Sequence, residues 1–167
     1  MINACRSFQE KLVVWVLLDT GLRVSEFCSL RKENIHWQEN HLVIWGKGGW
    51  YGRRGKRRIV PLTARARRLL GLHFCTNSRI AFTKRTAQRL VKQVANRAMI
   101  AKPVSPHVLR HTFAVNCVQK GVSTASLKKI LGHDRLETTE IYLNISPEDA
   151  LSEFFDKVDG QRGQRWD

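Results

Sequence analysis

Acidic residues are scarce in this chain: 14 Asp and Glu stand against 29 Lys and Arg, a formal charge of +15 over 167 residues. An imbalance of that size points to a polyanionic partner, nucleic acid first, and says nothing about the fold. Long apolar runs are lacking too. The longest, Leu12 to Leu18, is far short of the roughly 20 residues that a membrane-spanning helix needs, and no signal-like segment opens the chain. A membrane-surface protein of this charge would need a helix with a broad apolar face to insert. Four cysteines, Cys5, Cys28, Cys75 and Cys117, form no C-x-x-C pair, and none of the six histidines lies at ligand spacing beside one. That argues against a metal site or a disulfide scaffold and for a reduced, cytoplasmic protein. Internal repeats are absent, and low complexity is confined to a basic loop and the polar end, residues 160–167.

What remains is enough for one hydrophobic core and too little for two ordinary domains. The element signals predict a mainly α fold with a small antiparallel β-hairpin, an α+β class. Ser7-Phe8-Gln9-Glu10 is a capping box, so a helix is expected from Phe8 to a left-handed stop at Gly21. A second short helix, Val24 to Leu30, follows Arg23 and fixes its backbone. Leu42–Trp45 and Arg58–Leu62 read as two strands joined by a long loop rich in glycine and cations. Thr63 caps a helix through Leu70, Ile80-Ala-Phe82 is a small strand or extended piece, and a helix runs from about Thr86 to Ala98. Ser105-Pro106 starts the next helix, with His107 in its first turn and Arg110 one turn later on the same face. Gly121 ends it, Ser123 or Thr124 starts another through Ile130, and Gly132 stops that one just before His133. Thr138 opens a further helix carrying Tyr142. Ser146-Pro147-Glu148 begins a short amphipathic tail with Leu151, Phe154, Phe155 and Val158 at helical spacing.

The residues with chemistry lie mostly in the last third. His107-Val-Leu-Arg110-His111-Thr-Phe-Ala114 is followed by Leu131-Gly132-His133 and then by Tyr142, one of only two tyrosines. This order suits one reaction: a phenol attacks a phosphodiester while cations hold the charge that builds on the phosphate oxygens. Arginine fits the second role because its fork meets two oxygens at once and stays protonated, so Arg23 and Arg110 are the candidate phosphate ligands. The other tyrosine, Tyr51, sits in the hairpin loop without such company. That loop carries Arg53, Arg54, Lys56, Arg57 and Arg58 around Trp50 and Tyr51, a mixture suited to DNA backbone or groove contact, or to a merely solvated face.

With Thr20-Gly21-Leu22-Arg23-Val24-Ser25-Glu26 and Gly46-Lys47-Gly48-Gly49 added, the pattern resembles the catalytic domain of the tyrosine recombinases, the site-specific DNA integrases and chromosome-dimer resolvases, from about Leu12 to about Pro147. The resemblance implies DNA cleavage and rejoining through a 3′-phosphotyrosyl link on Tyr142, with no metal or nucleotide cofactor. It places Glu26 as the acidic support that orients Arg23. His107 becomes the proton acceptor for the tyrosine and His133 a donor to a phosphate oxygen, while His111 faces elsewhere. Lys47 matches the lysine that protonates the departing 5′ oxygen, although the hairpin loop is longer than the compact pattern and Lys56 is the alternative. Residues 1–147 then form the catalytic domain and residues 148–167 a tail, exchanged between protomers or folded back on its own core. A homo-tetramer on paired DNA sites is implied when active. The domain starts almost at Met1, so no DNA-clamping domain is expected ahead of it. Two rival readings share the charge and part of the motif set: a type IB topoisomerase that relaxes a single duplex, and a noncatalytic DNA-binding module.

Overall fold

The computed structural model describes residues 1–46 and 57–132. Its centre is helix α1 (Phe8–Thr20), which starts on the expected capping box: Ser7 Oγ accepts from the Glu10 amide at 3.1 Å, and the Glu10 carboxylate accepts from the Ser7 amide at 3.3 Å. Leu12, Val13, Val14, Val16 and Leu17 are all fully buried. A helix whose middle, Leu12 to Leu18, is apolar all round has to lie inside, and helices α3 (Ala64–Phe74), α4 (Lys84–Arg97) and α5 (Pro106–Gln119) pack around it. Gly21 ends α1 with φ 61°, and a Cβ there would stand 2.3 Å from the Phe113 ring, so glycine is required both by conformation and by space. Helix α2 (Val24–Cys28) follows at once; it is shorter than expected and buries Phe27, with Leu30 just beyond it in the core.

Among the described residues, three strands form one antiparallel sheet in the order β1 (Ile35–His36), β2 (His41–Trp45), β3 (Arg57–Pro61). The expected hairpin is β2 and β3, paired with Ile44 opposite Arg58 and Trp45 opposite Arg57. The additional strand, β1, is only two residues long, too short for alternation to announce it. Along β3 the side chains alternate: Arg58 and Val60 turn inward while Ile59 is 50% exposed. Ile80 to Phe82 is not a strand; an isolated bridge between Arg31 and Arg79 stands beside it.

Helix α5 begins as expected, with Ser105 Oγ accepting from the Val108 amide at 3.4 Å and Pro106 in its first turn. Helix α6 (Thr124–Leu131) starts on Ser123 and ends at Gly132 with φ 67°. It packs on β3 and, through Leu127 and Leu131 with Phe113 and Ala114, forms a small second core. Two ion pairs fasten the periphery to α1. Glu10 receives both terminal nitrogens of Arg97, at 2.9 and 3.0 Å, and these hydrogen bonds hold its carboxyl down at about 2. Asp19 receives Thr63 Oγ1 at 2.7 Å and Arg65 Nε at 2.8 Å. Among the described residues no helix is long and apolar enough to cross a membrane. The expected helix from Thr138 and the tail of residues 148–167 lie outside the described residues.

Candidate functional site

The site begins where α1 stops. Gly21 turns the chain, and Arg23 becomes the residue that precedes α2, with its side chain 40% exposed. Glu26, one turn on, accepts from the Arg23 amide at 2.7 Å and from the Arg23 guanidinium at 3.1 Å. The carboxylate therefore fixes both the backbone and the head of the arginine. It is no solvent-facing helical glutamate, since its side chain is only 10% exposed. Burial pushes the Glu26 carboxyl up, but hydrogen bonds and charge, from Arg58 above all, outweigh it and hold the group below the usual carboxylate range.

Arg58 is the residue that sequence reasoning misplaced. Counted there with the DNA-contacting loop, it lies on β3 with its side chain 7% exposed. Its two terminal nitrogens donate to the two Glu26 oxygens at 2.9 and 2.7 Å, and its Nε donates to the Ile130 carbonyl at 2.9 Å. With its side chain buried and all three nitrogens engaged from β3, Arg58 is not part of an exposed DNA-contacting loop. The missed signal was the strand's alternation: in Arg58-Ile-Val-Pro-Leu62 the inward set is 58, 60 and 62, which leaves an isoleucine outside and an arginine inside. Arg57, its neighbour, is exposed as a DNA contact requires.

Arg110 is buried, with 5% exposure. Its terminal nitrogens donate to the Gly21 carbonyl at 2.6 Å and to the Leu131 carbonyl at 2.8 Å. Both acceptors belong to helix ends, where carbonyls lack intrahelical partners and cations are favoured. One guanidinium thus ties the turn two residues before Arg23 to the turn two residues before His133. Arg58 takes the adjacent α6 carbonyl, and a Cβ on Gly132 would meet Arg58 Cδ at 2.7 Å. Arg23, Arg58, Arg110 and the end of α6 therefore share one neighbourhood. The charge there is unbalanced: the single Glu26 carboxylate faces the guanidiniums of both Arg23 and Arg58, and Arg110 is held by backbone carbonyls. An excess of fixed cations of this kind suits an incoming phosphodiester.

His107 is exposed near the start of α5, three residues before the buried Arg110. Three residues advance a helix by about 300°, so the two side chains are neighbours but not aligned, and His107 falls at the solvent margin. His111 is also exposed. Lys47, Arg53, Arg54, Lys56, His133 and Tyr142 lie outside the described residues. The structure thus brings together Arg23, Glu26 and Arg110 of the expected set, adds Arg58, and leads the chain toward His133 at Gly132.

The phage integrase family profile matches residues 1–149. Tyrosine recombinase XerA of Saccharolobus solfataricus is 30% identical over 158 residues, which cover 92% of this chain and 52% of that protein. A tyrosine recombinase of Pseudothermotoga lettingae is 34% identical over 148 residues, covering 82% of this chain and 50% of its own length. The crystal structure of XerA recombinase superposes with a TM-score of 0.71 at 26% identity, over 97% of this chain and 65% of that one. The chain spans about half the length of the curated relatives it matches.

Proposed function

The chain belongs to the phage integrase family, and on that premise we propose that it is a site-specific DNA recombinase that cuts and rejoins strands through Tyr142. The observation that carries the reading is the buried Arg110, whose two carbonyl contacts join the Arg23 turn to the turn that leads into His133. Such a tie supports a site in which two arginines meet one phosphate, because it sets their relative position before any DNA arrives.

The steps follow from charge. Arg23 and Arg110 donate to the non-bridging oxygens of the scissile phosphate and carry the charge that grows in the pentavalent transition state. Tyr142 Oη attacks phosphorus, its proton passes to His107, and the P–O5′ bond breaks. The departing 5′ oxygen takes a proton from Lys47, with Lys56 the alternative donor, and His133 donates to a phosphate oxygen. The product is a 3′-phosphotyrosyl link and a free 5′-hydroxyl. A 5′-hydroxyl from a partner strand reverses the step, so no external energy source is consumed. Double-stranded DNA is the partner, with Arg53, Arg54, Lys56 and Arg57 as backbone contacts. Exchange between two duplexes calls for a tetramer, in which the tail of residues 148–167 docks on a neighbouring protomer.

A denaturing gel with pools of nicked duplex from the source replicon tests the reading. A covalent protein–DNA band with the native chain that Tyr142→Phe loses is the expected outcome. Tight binding with no band favours the noncatalytic module, and relaxation of plasmids without exchange of paired sites favours the topoisomerase.

A further inference from the structure

Arg58 has a geometry that neither DNA contact nor packing explains. Its guanidinium makes a two-pronged pair with Glu26 and reaches the Ile130 carbonyl with Nε, from an inward position on β3. An ion pair withdrawn from water is a weak source of stability, and an apolar side chain at such a position often serves the fold as well. What the arginine supplies is direction. It grips the carboxylate that holds Arg23 and the helix end that precedes His133, and Gly132 leaves the room its stem occupies. It is also paired across the sheet with Ile44, so the strand that bears it is one wall of the β2–β3 hairpin. Lysine has a single point of charge and cannot span two carboxylate oxygens and a carbonyl in this fixed plane.

We propose that Arg58 is a positioning residue of the catalytic site: from β3 it fixes Glu26, and through it Arg23, against the α6 turn that leads to His133. The hairpin and the phosphate-binding arginines thereby move as one body. This rests on the recombinase reading above.

The test compares Arg58→Lys and Arg58→Met with Arg97→Lys, which disturbs the corresponding Glu10 pair far from the site. Single-turnover cleavage of a nicked duplex is measured at saturating DNA, together with DNA affinity, melting temperature and the NMR signals of Arg23 Nε–H and the Gly132 amide. The Arg58 variants are expected to bind DNA as the parent does and to cleave about 10–100-fold more slowly, the usual loss when a group that orients a site's ligands is removed. That loss should shrink when Arg23→Lys is already present, because the two act in series. Arg97→Lys should lower the melting temperature and leave cleavage intact. Full cleavage by folded Arg58 variants, weakened DNA binding as their sole defect, or losses that add independently to that of Arg23→Lys would each overturn the proposal. If the parent chain forms no covalent band, the recombinase reading fails instead, and the NMR signals still decide the geometry. Shifts at Arg23 and Gly132 in the Arg58 variants but not in Arg97→Lys support positioning, and unchanged signals refute it.

Discussion

Helices α1 and α2 begin in nearly the same way and to different ends. Each has a glutamate in its first turn, Glu10 and Glu26, that accepts from a backbone amide just before the helix. Each glutamate is clasped on both oxygens by an arginine from far along the chain, Arg97 or Arg58, and each arginine also donates to a carbonyl, of Ala4 or Ile130. The residue before the helix is where they part. For α1 it is Ser7, whose hydroxyl accepts the Glu10 amide and completes the cap. For α2 it is Arg23, which has no acceptor to offer and sets a cation beside the positive end of the helix. The first device serves the fold. The second gives up a serine-type cap to hold a guanidinium half in solvent, a placement that fits the phosphate-binding role proposed for Arg23.

Substituting the odd residue should break the comparison most sharply. Arg23→Ser gives α2 the cap that α1 has, which is worth about 1 kcal/mol at such positions, against a half-exposed ion pair of about 0–1 kcal/mol that is lost. Its melting temperature should not fall below the parent's, while cleavage drops about 100–1,000-fold, as when one donor to a developing oxyanion is removed. Calorimetry and single-turnover cleavage on the same sample check both halves. A smaller effect separates the two glutamates: Glu26→Gln and Glu10→Gln should both lower the melting temperature, but only Glu26→Gln should slow cleavage, by about 10–100-fold. Equal cleavage in the two variants would mean that Glu26 is merely another fastener.

The gentlest test is pH. Glu10 titrates at about 2 in the folded chain against 4.5 ordinarily, so its pair contributes in full above about 4.5 and is lost as pH falls toward 2. Glu26 is shifted in the same direction. Urea unfolding followed across that window should lose stability with acid in the parent, and Glu10→Gln should remove part of the slope. An unchanged slope would show that the Arg97 pair is broken in solution.

Much of this was legible from local signals. Ser7 with Glu10, Gly21, Ser105-Pro106 and Gly132 each mark a helix boundary through a backbone requirement that acts within a few residues, and each boundary falls within a residue of where those signals put it. Arg23, Glu26 and Arg110 were legible because their motifs hold them close to those boundaries. Arg58 was not, because a run of cations beside glycines reads as one loop, and its partner Glu26 lies 32 residues away in sequence. The different burial of His107 and Arg110 was also hidden, since spacing says that two residues are neighbours and not which of them faces water. Strand β1 was too short to show any period.

The hydrogen bond from Arg110 to Gly21 joins residues 89 apart, and that from Arg58 to Ile130 joins residues 72 apart. Capped helices such as α1 can form early, but contacts of this reach must wait until large loops have closed, and they set the slow part of folding. On the recombinase proposal, a growing chain therefore carries most of its cations well before Arg23 and Arg110, the proposed phosphate ligands, are in register. On that proposal the power to cut strands comes late in the chain's own assembly, which separates in time the chance of binding DNA from the chance of breaking it.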